Sequence, residues 1–166
     1  MKNNSINKTR FIVASLVSVY FVYYCFTYTK WHFIDNINLI IHEAGHFVFL
    51  FFGQFIHFLG GSILQIVLPI IFVIYFYKKQ EYFSSSLLLF WVGQNFINVS
   101  VYISDSIVMQ LPLIGGEHDW NNILQMSGLI KYTKEIGSSF YFIGIFIIFI
   151  AIYFSFANSL NERLEK

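Results

Sequence analysis

Charge is scarce in this 166-residue chain. Asp, Glu, Lys and Arg make up 11% of it, against roughly a quarter in a water-soluble domain, so its surface is not built to face water. There is no basic block, and a net charge of +1 excludes the electrostatic footprint of a nucleic-acid-binding protein. The single cysteine, Cys25, cannot form an internal disulfide and reads as a small apolar residue within a membrane segment. Internal repeats, a low-complexity tail and a second domain are also missing. Residues 1–166 therefore read as one integral membrane domain. What is abundant is apolar: 57% of the chain is hydrophobic and 21% aromatic, heavy even for a protein in lipid.

The apolar residues gather into five segments, roughly 11–29, 34–59, 62–77, 84–108 and 137–157. All but the third are near or above the roughly 20 residues that cross a bilayer as a helix. The third is short and carries Pro69, which predicts a kinked or partly spanning helix, and Gly60 and Gly61 read as the turn before it. The first run follows Lys2, Lys8 and Arg10, is long for a signal peptide and lacks a small-residue cleavage pattern. It reads as a retained membrane helix. The expected fold is an all-α, multi-pass bundle of about five membrane segments in the cell membrane. With five crossings, Lys and Arg divide five against five, so the positive-inside rule leaves orientation open. The basic N-terminus favours its being cytoplasmic.

The second segment carries His42-Glu43-Ala44-Gly45-His46, an HExxH sequence. On a helix, positions i and i+4 share a face, so both imidazoles can reach one ion from the same side. Zinc is the usual choice for two such nitrogens with a place left open for water, whose pKa it brings to about 7. Glu43 follows the first ligand directly, where it can take a proton from that water, and attack on a carbonyl would then hydrolyse an amide or ester. Three ionisable residues in five positions of a membrane helix are costly without a metal or a polar cavity. The plainer alternative is a polar seam that packs helices through hydrogen bonds. Counting 100° per residue along this helix, Asp35, His42, His46, Gly53 and His57 fall on one stripe that should face the bundle interior. His57 would then lie roughly 16 Å from His46 by helix rise, too far to share the ion. Asp35 is either a carboxylate orienting a ligand histidine or an interfacial residue near the helix start.

A catalytic zinc takes three protein ligands, and the segment 109–136 is the best source of the third. Gly115-Gly116-Glu117-His118-Asp119-Trp120 joins flexibility to ligand-type side chains. Asp119 is either that ligand or the N-cap of a short helix over 120–130, and His118 is the other ligand candidate. In the fourth segment Gln94, Asn98 and Asp105 share a face that either zips the bundle or binds a substrate backbone. Gln65 is a similar inward polar residue.

An HEAGH motif in a membrane segment, followed by a Gly-rich stretch and an aspartate before a short helix, resembles the site-2 protease class of intramembrane zinc metalloproteases, and its small bacterial relatives in particular. The resemblance covers roughly residues 31–130, with HEAGH its specific part and GGEHDW a looser match. It implies zinc on His42, His46 and Asp119, Glu43 as catalytic base, and membrane-embedded or membrane-proximal peptides as substrates. The chain departs from better-known members in lacking a leucine-aspartate-glycine motif in a membrane helix and in having no extra peptide-binding domain. Two other functions share the chemistry: a membrane metal-binding protein without proteolysis, against which the base Glu43 argues, and a zinc hydrolase of lipid amides or esters.

Overall fold

A computed structural model describes residues 6–112 and 117–160. Those residues are all-α: α1 (Lys8–Thr27), α2 (Phe33–Val48), α3 (Gln54–Lys78), α4 (Tyr82–Asp105), α5 (Asp119–Met126) and α6 (Thr133–Ser159). Short 3-10 turns lie at Leu50–Phe52 and Ile130–Tyr132. The glycines at 115 and 116 lie outside the described residues.

The bundle is the one the composition implies, but the apolar runs divide differently. The 34–59 run is not one helix. It stops at Val48, and Gly53, at φ +89°, supplies a backbone conformation that a side chain would strain. α3 then continues without a break through Gly60 and Gly61, which are helical rather than a turn, and through Pro69. Four described helices are long and apolar enough to cross a membrane: α1, α3, α4 and α6 with the turn before it. α2, at 16 residues, is about 24 Å long and is not among them.

α2 is patterned inside out relative to a helix on a soluble protein. Its buried residues are Asp35, Asn38, His42 and Gly45, spaced three or four apart, whereas Phe33, Ile40 and Phe47 are exposed. An apolar outer face with a polar inner stripe suits a helix lying against lipid and facing a polar interior. The exposed Leu16, Val19, Phe142, Phe146 and Phe149 on α1 and α6 suit the same surroundings.

Small residues set the closest helix contacts. A Cβ on Gly45 would lie 2.8 Å from the backbone of Gly60 and Gly61, and one on Gly61 would lie 2.6 Å from the His42 ring. The α2–α3 hairpin therefore closes backbone to backbone, and α3 backs the first histidine of the motif. Gly93 of α4 and Gly144 of α6 meet in the same way. The amide of Asn7 donates to the carbonyl of Ser159 (3.1 Å), the Asn158 side chain donates to the Tyr82 carbonyl (3.2 Å), and Arg10 lies over the Phe83 ring. The start of α1, the start of α4 and the end of α6 thus share one end of the bundle.

Candidate metal centre

The site is assembled by α2, α4 and α5. One turn of α2 separates His42 and His46, whose ring centroids are 4.9 Å apart. Asp119, the first residue of α5, reaches both: its Oδ2 is 3.1 Å from His42 Nε2 and 3.3 Å from His46 Nε2. One potential ligand atom from each of the three residues falls within 4.8 Å of the other two. The far ring nitrogens are also engaged. His42 Nδ1 donates to Gln65 Oε1 (3.2 Å), and His46 Nδ1 donates to the carbonyl of His57 (2.9 Å). Both rings therefore turn Nε2 toward the same point, the arrangement metal-binding histidines adopt. Two imidazole nitrogens and a carboxylate oxygen are a donor set that suits zinc.

Asp119 is held from several directions. The Tyr102 hydroxyl donates to its Oδ2 (3.0 Å) and accepts from its backbone amide (3.1 Å). Burial works against its ionisation, but the proximity of the His42 and His46 imidazoles outweighs burial and keeps the carboxyl well below the usual carboxylate range. α5 is fastened by Trp120, whose indole donates to Ser62 on α3 (3.0 Å), and by Ile123 and Leu124 packed between α3 and α4.

His118 does other work. It is the N-cap of α5, its Nδ1 accepting from the amide of Asn121 (3.2 Å), and its Nε2 lies 3.3 Å from Asp105 Oδ2. Asp105 in turn accepts from the amides of Gln110 and Leu111, both at 2.9 Å. The two residues clamp the connection that delivers Asp119. Asp119 is thus not the N-cap, and Asp105 anchors a loop rather than extending the amide face of α4.

A cavity of about 610 Å3 opens beside the cluster. Glu43, His42, His46 and Asp119 line it together with the Tyr28–Trp31 turn and apolar side chains such as Leu39 and Val99. Glu43 is half-buried on its wall.

Two expectations change. His57 is not remote: the break at Gly53 folds α3 back so that its ring lies 5.2 Å from that of His46, and its Nδ1 donates to the His46 carbonyl (3.1 Å). Asp35 is not interfacial but buried, bonded to Tyr24, Gln94 and Asn98, and it is bonded to neither His42 nor His46. Gln65, Gln94 and Asn98 are inward, as their spacing suggests, and they zip the bundle by bonding to α2 and to one another. Sequence reasoning missed Tyr102 and Asn38. Each had a signal: Tyr102 continues the 94, 98 series of α4 by one turn, and Asn38 lies between Asp35 and His42 on their stripe.

No family model, curated protein or solved structure matches this chain.

Proposed function

We propose that this chain is a zinc-dependent intramembrane endopeptidase acting on membrane-embedded or membrane-proximal peptides. The observation that carries the reading is the convergence of His42, His46 and Asp119 on one point, with Glu43 on the wall of the same cavity, inside a bundle of apolar helices. His42 and His46 through Nε2, and Asp119 through a carboxylate oxygen, would hold the ion. Bound zinc supplies Lewis acidity toward a carbonyl and lowers the pKa of water to about 7. The chain does the rest. Gln65 and the His57 carbonyl fix the rings, and Tyr102 steadies the Asp119 carboxylate. Glu43 takes a proton from the attacking water and returns it to the leaving amine nitrogen, so that water adds across the peptide bond. The partly polar cavity admits water where lipid would exclude it, and the apolar walls accept substrate side chains.

The test is direct. Purified in mild detergent without chelator, the protein should carry about one zinc per chain. In vesicles it should cleave a membrane-spanning reporter peptide, lose that activity to a zinc chelator and regain it with added zinc. A wild-type protein that takes up no zinc sinks the reading. Hydrolysis of the vesicle lipids with the peptide left intact would reassign the substrate.

We propose an orientation on the reading that the four long helices are the crossings. With α2 not crossing, Lys2, Lys8, Arg10, Lys78, Lys79, Arg163 and Lys166 flank one end in sequence, and Lys30, Lys131 and Lys134 the other. Seven against three assigns the first end to the cytoplasm. Asn98, which bonds to Gln65 beside His42, lies seven residues, or about 10 Å, before the end of α4. The metal cluster is therefore reached from the non-cytoplasmic face. A fluorescent protein fused after the last residue should fluoresce, and alkaline phosphatase fused there should be inactive. The reverse pattern overturns this orientation.

A further inference from the structure

The hydrogen bond that orients His42 is the end of a longer chain, and the chain has a direction. Gln65 accepts from His42 Nδ1 and donates through Nε2 to Asn98 Oδ1 (2.7 Å). Asn98 donates through Nδ2 to Asp35 Oδ1 (3.1 Å). A second chain arrives at the same oxygen. The Trp91 indole donates to Asn38 Oδ1 (2.9 Å), Asn38 donates to Gln94 Oε1 (2.7 Å), and Gln94 donates to Asp35 Oδ1 (2.8 Å). The Tyr24 hydroxyl also donates to Asp35 Oδ1 (3.0 Å), and the His32 amide donates to Oδ2 (2.7 Å). Asp35, Asn38 and Gln94 are almost wholly buried, so water offers these groups little alternative.

The ends of the chains decide how every amide between them is turned. An indole N–H can only donate, and a carboxylate can only accept. Asn98 must therefore offer its NH2 to Asp35 and its oxygen to Gln65. Gln65 must then offer its NH2 to Asn98 and its oxygen to His42. An oxygen at that place demands a proton on His42 Nδ1, which leaves the Nε2 lone pair free. We propose that Gln65, Asn98 and Asp35 are positioning residues that hold His42 as the tautomer able to bind the ion, an inference that rests on the zinc reading above. Asp35 acts through two amides, without touching the histidine. This gives the buried carboxylate a role that its distance from the ligands conceals.

Zinc affinity of the full-length protein in detergent tests this, read by competition with a chromogenic chelator and with zinc alone as the probe. Gln65→Leu removes the acceptor and should weaken binding by about 10–100-fold, the range for partners of metal-bound histidines. Gln65→Glu keeps an acceptor facing Nδ1 and should stay within about threefold of wild type. A merely structural role predicts the opposite order, since Glu adds a charge to a buried seam and Leu does not. Asn98→Leu touches no ligand, yet frees Gln65 to turn, and should weaken binding by about tenfold. Wild-type affinity in both leucine variants, or a Glu variant as weak as the Leu variant, overturns the inference while zinc on the wild type leaves the peptidase reading standing. No zinc on the wild type ends both.

Discussion

Glu43→Gln should lower turnover of a membrane-peptide substrate by about a thousandfold while zinc stays bound at the wild-type ratio, the mid-range effect of removing a general base. The two halves of that expectation come from different observations. Glu43 is not among the three residues whose ligand atoms converge, so the ion should not depend on it. It lines the cavity beside both histidines, where a water poised over a substrate carbonyl would lie. Glutamine has nearly the same shape and keeps the half-buried position filled, but its amide cannot take the proton. A thousandfold loss corresponds to about 4 kcal/mol of transition-state stabilisation. Turnover, zinc content and helicity measured on one preparation separate the possibilities. Activity within tenfold of wild type would mean that another group is the base. Loss of zinc would make Glu43 a ligand and the cluster something other than a hydrolase site.

Much of the site was legible in the sequence because its decisive parts are local. HEAGH needs only the helical repeat to place His42 and His46 on one face, and the cluster of ligand-type residues at 117–119 narrows the third ligand to Asp119 or His118. The helix break was harder to see. From Phe47 to Phe58 the chain is almost uniformly apolar, so hydropathy gives no edge, and the stop depends on Gly53 adopting a positive φ. Everything downstream of that error shifts together. A straight helix carries His57 away from His46, whereas the hairpin lays it alongside. Gly60 and Gly61 then look like a turn, although their task is to let α2 and the His42 ring approach α3. Asp35 was misjudged for a different reason. Its partners Tyr24, Gln94 and Asn98 come from α1 and α4, 11 to 63 positions away, and no local pattern pairs them.

The choice between Asp119 and His118 carries the second large effect. Asp119→Ala should cost more than the roughly 100-fold upper end seen for outer partners of a metal site, because it removes a ligand rather than a residue supporting one. His118→Ala should lower zinc affinity only about tenfold or less, through looser delivery of Asp119. It would also remove the N-cap of α5, a loss of about 1 kcal/mol of stability. The geometry separates the two neighbours cleanly. Asp119 Oδ2 lies within 3.3 Å of both Nε2 atoms, whereas the two His118 nitrogens face the Asn121 amide and Asp105. Chelator competition on both variants, with thermal unfolding recorded beside it, reads binding and stability apart. His118→Ala should unfold at a lower temperature yet still fill with zinc at higher concentration. Asp119→Ala should keep its fold and fail to fill, because Trp120, Ile123 and Leu124 still fasten α5 to α3 and α4. The reverse outcome, zinc retained without Asp119 and lost without His118, would mean that the loop rearranges to ligate, and the third ligand would pass to the histidine.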